Sequence, residues 1–380
     1  MEAYFDNAAT TYVLPEVVAL MTKIMEEDYG NPSSKHRKGM VAEQYVKTAA
    51  EQIASCLKVE PKNIVFTSGG TESNNMALIG AAMANKRAGM HIISSPIEHA
   101  SVYNPLLYLE KQGFELTILD VDENGLVTMD SLKSAMREDT ILVSIMAVNN
   151  EIGAVEPIEE YAKIIHSVNP KAVFHVDGIQ AFGKYNIYPK RMGIDLYSIS
   201  GHKLHASKGV GALYMNPSIK IHPMMLGGGQ QKDMRSGTEN VPGIAGLGLA
   251  AKIAYDNLNG RMEHLRELKQ HMIAGATALE GVTDNSGEAP HIVSLSFRGV
   301  KSEVLLHALE DKGIYVSSGS ACSSNHPSIS GVLSAIGLEQ ELLDSTLRFS
   351  FAERNTIEEV DYTVQTLGQL LPVLRRFVRK

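Results

Sequence analysis

Ser198-Ile199-Ser200-Gly201-His202-Lys203-Leu204-His205 puts a lysine just past the end of an apolar run. An ammonium in that position is costly unless it is exposed, paired or used covalently, and lysines that form Schiff bases need such a semi-buried setting. Working outward, Phe174-His175-Val176-Asp177-Gly178-Ile179-Gln180 ends an earlier strand on an acid, at the edge where open α/β sheets place their ligands. A lone aspartate there is often only a helix cap, so its meaning depends on Lys203. Further back, Phe66-Thr67-Ser68-Gly69-Gly70-Thr71-Glu72-Ser73 runs from a strand through paired glycines into a helix. Glycines let a backbone approach a ligand, and the free N–H groups of a helix start favour an anion. An ordinary turn with Thr71 as N-cap is the plainer alternative. Without the Gly-Lys-Ser/Thr ending of a nucleotide loop, the anion expected is a small phosphate.

The rest of the first two-thirds supports one architecture. Residues 63–67, 91–94, 115–119, 141–148, 172–176, 195–200 and 210–215 read as buried strands, with amphipathic stretches such as 73–86 and 158–167 between them. This alternation is the α/β pattern, a mostly parallel sheet covered by helices on both faces. One long helical stretch, 241–279, follows. The rhythm then changes to strands at 291–297 and 347–351 with helices at 302–312 and 356–376, read as a smaller α+β domain. The expected division is 15–255 for the large domain and 1–14 plus 256–380 for the small one. A chain of 41.3 kDa exceeds the size at which a single core stops growing, in keeping with two domains.

Composition narrows the function. With 35 basic and 43 acidic residues the net charge is −8, and no dense Lys/Arg run is present, which argues against direct nucleic-acid binding. The start, Met1-Glu2-Ala3-Tyr4-Phe5-Asp6, carries no secretory signal, and the apolar stretches are too short to span a bilayer, so a cytoplasmic location is expected. Gly243, Gly246 and Gly248 imitate a dinucleotide fingerprint but lie in a helical stretch with no strand before them, where close helix packing explains them better. The 13 histidines and 2 cysteines form neither HExxH nor paired CxxC spacings, so no metal site is expected. Of the two cysteines, Cys56 reads as core packing. Cys322 sits in Ser317-Ser318-Gly319-Ser320-Ala321-Cys322-Ser323-Ser324-Asn325-His326-Pro327, a polar stretch that leaves a thiol accessible; the window alone fits either an incidental surface cysteine or a reactive one.

Phosphate cradle, strand-end aspartate and strand-end lysine together are the constellation of a pyridoxal phosphate enzyme, in which an Asp faces the pyridine nitrogen. The chain resembles the NifS/IscS-type cysteine desulfurases of the class V aminotransferase family over nearly its whole length. The resemblance is carried by Asp6-Asn7-Ala8-Ala9-Thr10-Thr11, Gly30-Asn31-Pro32-Ser33-Ser34, Phe66 to Ser73, Glu98-His99, Asn149-Asn150-Glu151-Ile152-Gly153, His175-Val176-Asp177, Ser200-Gly201-His202-Lys203, Met234-Arg235-Ser236-Gly237-Thr238 and Ser318-Gly319-Ser320-Ala321-Cys322. It implies an aspartate aminotransferase-like fold of type I, pyridoxal 5'-phosphate as cofactor and L-cysteine as substrate.

The resemblance also implies roles. Lys203 would bind the cofactor covalently and shuttle the α-proton, and Asp177 would keep the pyridine nitrogen protonated. His99 would stack on the ring and assist proton transfer, Gln180 would bond the phenolic oxygen, and Asn150 would lie beside the ring substituents. Gly70, Thr71, Ser200 and His202 would hold the phosphate, with Thr238 supplied by the second subunit of a homodimer. Arg348 would clamp the substrate carboxylate, with Asn7 nearby. Cys322, as thiolate, would take the sulfur as a persulfide and pass it to an iron–sulfur scaffold or a tRNA-thiolating enzyme. Gly178 departs from the family's usual alanine, Gly70 from a frequent one, and Ala206-Ser207 from Gly-Pro; only local backbone adjustment is expected. The long segment after Cys322 resembles the long-loop group. A selenocysteine lyase or β-lyase would not need that thiol, and an aminotransferase would yield a keto acid.

Overall fold

The structure, a computed structural model, describes residues 1–318 and 330–377. The chain enters through β1 (Ala3–Tyr4), α1 (Pro15–Glu26) and α2 (Arg37–Leu57). Alternation begins with β2 (Ile64–Thr67), α3 (Gly70–Asn85), β3 (His91–Ser94), α4 (Ala100–Lys111) and β4 (Glu115–Ile118). It continues through α5 (Met129–Ala135), β5 (Thr140–Ser144), α6 (Ile158–Val168) and β6 (Val173–Asp177), then α7 (Pro189–Met192), β7 (Leu196–Ser200) and β8 (Gly211–Met215).

These seven strands from β2 to β8 form one sheet in the order β2-β8-β7-β6-β5-β3-β4, in which β8 alone runs antiparallel to its neighbours. Every residue of β3, β5, β6 and β7 is buried, because helices cover both faces and leave no polar side to alternate with. Edge strand β4, Glu115-Leu116-Thr117-Ile118, has no buried residue. Helix α6 shows the complementary pattern, burying Ile158, Tyr161, Ala162 and Ile165 at helical spacing.

Register decides where chemistry can gather. Thr67 and Ser200 both pair with Gly211, and Asp177 pairs with Ser198. The carboxyl ends of β2, β6 and β7 therefore lie along one edge, within two residues of one another.

Beyond β8, α8 (Val241–Asp256) and α9 (Leu258–Thr277) replace the single helical stretch expected over 241–279. Asn257 breaks it with φ −133° and ψ 42°, outside the helical range. The two halves serve different cores. Ile244, Leu247, Ala250 and Ala251 of α8 pack with Phe174, Val176 and Tyr197 of the large sheet, whereas Leu265, Leu268 and Met272 of α9 pack with Leu295, Phe297 and Phe349. The false dinucleotide fingerprint is a packing surface: a Cβ on Gly246 would come within 2.9 Å of Val17, and one on Gly248 within 2.6 Å of the Ala49 backbone.

The remaining elements are β9 (Val282–Asp284), β10 (Ile292–Phe297), α10 (Ser302–Glu310), β11 (Ile314–Tyr315), β12 (Ser317–Ser318), α11 (Gly331–Ala335), α12 (Gln340–Leu343), β13 (Thr346–Ser350) and α13 (Ile357–Leu374). A second sheet orders β12-β13-β10-β9, antiparallel throughout. β1 pairs in parallel with β11, and Asp6 bridges to Ser350, so the chain's first residues bind the end of β13. Among the described residues no helix is long and apolar enough to cross a membrane.

Candidate active site

Lys203 closes a single 3-10 turn after β7, and its Nζ donates to two backbone carbonyls, Ala8 O at 2.5 Å and Ala9 O at 2.7 Å. Those carbonyls are held by a tight turn in which Ala9 and Thr10 N–H groups return to Asp6 O. Gln180 Nε2 donates to the same Ala8 oxygen at 3.0 Å. A lysine amine and a glutamine amide thus converge on one oxygen from different elements.

Asp177, at the end of β6, is 3% exposed and accepts from Asn74 Nδ2 at 2.8 Å and Ile179 N at 2.9 Å. Burial pushes its carboxyl up, against the opposing pull of those two bonds, His99 and Lys203. Such a group keeps a negative charge far better with a cationic hydrogen-bond donor beside it. His99 caps α4 through its own ring, and burial, with Lys203 and Arg348, holds it below the usual histidine range while Asp177 works the other way.

At the α3 start, Gly69 takes φ 151° and offers no side-chain cap to the first N–H groups of Gly70 and Thr71. A Cβ on Gly70 would lie 3.4 Å from Ser200 Cβ, which places the helix start against the end of β7. His202 follows, its Nδ1 3.2 Å from Thr10 Oγ1; burial pushes it down to about 4. Gly70, Thr71, Ser200 and His202 therefore share one corner of the sheet edge.

Arg348, in β13, is 4% exposed and anchored at both ends: Nη2 pairs with Asp6 Oδ1 at 2.9 Å and Nη1 donates to Asn150 O at 2.8 Å. Its Nε is buried without a partner. Asn7 spends its Nδ2 on Tyr4 O, Ser350 O and Asn355 Oδ1, while its Oδ1 is buried and unpartnered. Cys322 lies outside the described residues. The two described ends of its segment both stand near Arg348: Ser317 pairs with Arg348 itself, and Ser330 Oγ donates to Glu151, the neighbour of Asn150. Thr238 is not drawn into this cluster; it is exposed and makes no hydrogen bond within the described residues.

Sequence reasoning missed several members. Asp6, quoted only as part of a motif, is the ionic partner of Arg348. Asn74 and Ser101 connect Asp177 to His99. Glu98 is pushed well above the usual carboxylate range by burial and then by Asp177, with Oε1 accepting from Met146 N and Ser95 Oγ. Lys184, half-buried by its surface exposure and pushed down to about 7 by burial, donates to Lys203 O. Only Glu98, adjacent to His99, carried a local signal. Cys56 is partly buried against the large core, and burial pushes its thiol up to about 12. A cavity of about 680 Å3 lies elsewhere, between Val46, Ala50, Phe66, Met215, Gln231 and Lys232.

Pyridoxal phosphate fits these residues on three counts: two donors already meet on one oxygen at Ala8, a buried aspartate accepts from the neutral donors Asn74 and Ile179, and an uncapped helix start lies against Ser200. The fold and this site define a pyridoxal phosphate-dependent enzyme of fold type I. The aminotransferase class V family matches residues 3–363, and the chain belongs to that family. Within it, the chain is 42% identical over 376 residues to a cysteine desulfurase IscS from Clostridium botulinum, covering 97% of this chain and 94% of that one. Among solved structures, a NifS-like protein matches with TM-score 0.93 and 36% identity, covering 98% of this chain and all of that one (100%). SspA in complex with cysteine matches with TM-score 0.82 and 33% identity over 93% of this chain and 100% of that one.

Proposed function

We propose that the enzyme removes sulfur from L-cysteine, releasing L-alanine and leaving a persulfide on Cys322. What supports this most is the meeting of Lys203 and Gln180 on one oxygen beside buried Asp177, with Arg348 presented from the second sheet. Pyridoxal phosphate, when bound, supplies the electron sink. Asp177 would hold the positive charge of its ring nitrogen, Gln180 would face its phenolic oxygen, and Asn150 would lie beside its substituents. Gly70, Thr71, Ser200 and His202 would hold its phosphate, completed by Thr238 of a second copy.

Arg348, steadied by Asp6 and Asn150 O, would bind the substrate carboxylate. Asn7, whose amide donors are spent on the backbone around Tyr4 and Ser350, would serve that clamp by fixing Asp6. Lys203 would take the proton from the substrate's α-carbon. Cys322, as thiolate, would then attack the substrate sulfur: an S–S bond forms, the C–S bond breaks, and its electron pair stays with the carbon skeleton, which is reprotonated to L-alanine. Cys322 lies four positions along the chain from Ser318, a reach of about 14 Å at full extension. That length allows the thiol to serve the Arg348 site and then an acceptor. The acceptors would be iron–sulfur scaffold or tRNA-thiolating proteins, in a reducing compartment such as the cytoplasm.

Incubation with L-cysteine should give alanine, with one sulfur retained on Cys322 before reductant is added. Cys322→Ser should keep the yellow cofactor-bound protein but lose the persulfide. A keto acid product, or full sulfide release by Cys322→Ser, would overturn the proposal. Lys203→Ala should abolish turnover while the fold persists.

A further inference from the structure

Two residues outside the sequence-derived set form a directed chain between Asp177 and His99. Asn74, on α3, is fully buried; its Nδ2 donates to Asp177 Oδ2 at 2.8 Å and to Ser101 Oγ at 2.9 Å. Those bonds use both hydrogens of the amide. Turning the amide over would set its oxygen against the Asp177 carboxylate, so the orientation has one sense; Asn74 Oδ1 is left buried without a partner. Ser101, on α4, accepts from Asn74 and is left to donate its own hydroxyl hydrogen to His99 Nδ1, 2.8 Å away. The Ser101 backbone N–H reaches the same ring nitrogen at 3.1 Å. A backbone N–H is only ever a donor, so Nδ1 holds a lone pair and the ring proton sits on Nε2. Protonating the ring a second time would turn Nδ1 into a donor facing the Ser101 backbone N–H, which cannot accept. Burial acts in the same direction, Asp177 against it, and Lys203 and Arg348 again with it.

We propose that Ser101 and Asn74 are positioning residues that lock His99 as the neutral, Nε2-protonated imidazole and tie its orientation to Asp177, so that His99 meets the reacting groups as an N–H donor and not as a base. This deepens the function proposed above and rests on that reading together with the stacking of His99 on the cofactor ring that the family resemblance implies. Proton abstraction from the substrate then belongs to Lys203, and the contribution of His99 is a fixed hydrogen bond.

The test uses the dimeric holoenzyme with its 13 histidines labelled with 15N in the ring, the His99 signals being assigned by their loss in His99→Gln. At about pH 7, wild type should show an unprotonated Nδ1 and a protonated Nε2 on His99. Ser101→Ala should move the Nδ1 resonance and lower kcat for L-cysteine about fivefold, the worth of one ordinary hydrogen bond, with KM little changed. Ser101→Thr, which keeps the hydroxyl, should restore both. A protonated Nδ1 in wild type overturns the proposal, as does a Ser101→Ala enzyme matching wild type in both Nδ1 shift and kcat. Should wild type make no alanine from L-cysteine, the function fails instead, and the wild-type spectrum still decides the tautomer.

Discussion

A Cβ built on Gly178 would sit 2.0 Å from Tyr197 Cζ, inside a ring that is itself fully buried, which gives the missing methyl a physical reason. The Tyr197 ring fills the space that an alanine side chain after Asp177 would occupy. At Gly70 the conflict is with Ile179 Cδ1 at 2.2 Å, the far end of a flexible side chain that can turn away. Gly178→Ala should therefore destabilise by about 1–3 kcal/mol, as overpacked cores do, and Gly70→Ala by less. Urea unfolding measures both, and a Gly178→Ala protein as stable as wild type would show that the ring has room to move. At this scale the sequence was legible where a residue type is expensive: Lys203 and Asp177 stand out because a charge at a buried strand end needs a use. Asn74 and Ser101 do not stand out. Their meaning lies in hydrogen bonds between α3, α4 and β6, and neither their spacing nor their chemistry separates them from ordinary helix polar residues.

Helix α11 begins at the described end of the Cys322 segment, and Ser330 holds it there with two bonds. Its Oγ caps the helix, accepting from Leu333 N at 3.1 Å, and donates to Glu151 beside Asn150. Ser330→Ala removes the cap of a five-residue helix and should cost about 1 kcal/mol, a loss too local to move global unfolding much. Hydrogen exchange should show the effect, with α11 amides exchanging about fivefold faster and those of β6 and β7 unchanged. Equal protection in both proteins would mean that packing of Val332 and Leu333 alone holds the helix. Elements of the large sheet were readable because their strands are apolar on both faces and bounded by turns. The break at Asn257 was not. Apolar residues continue on both sides of it, and only the existence of two cores makes the chain turn there.

We propose a division of the molecule into 15–255 and 1–14 plus 256–380, which would set Lys203 and Asp177 on one side and Arg348 on the other. One part of the proposed site remains outside this single chain. Thr238 stands at the end of a segment that exposes Met224, Met225 and Leu226, the last at 80%, and adjoins the 680 Å3 cavity. Within it Gln231, Lys232 and Asp233 take consecutive left-handed φ values of 47°, 58° and 66°. Each such residue costs roughly 1–2 kcal/mol, so something must offset the strain. Within the chain, Gln231 Oε1 accepts from Phe66 N and Gln230 Oε1 from Gly237 N, which offsets part of it. Burial of the three apolar side chains against a second copy would offset more, at roughly 1.5–3 kcal/mol for each large side chain fully covered. Leu226→Asp should accordingly shift the proposed dimer toward monomer in sedimentation equilibrium. It should also loosen cofactor binding, because Thr238 would no longer be delivered to the partner's phosphate corner. A monomeric wild type, or a Leu226→Asp variant as dimeric and as firmly loaded as wild type, would remove this face as the place where the two copies meet.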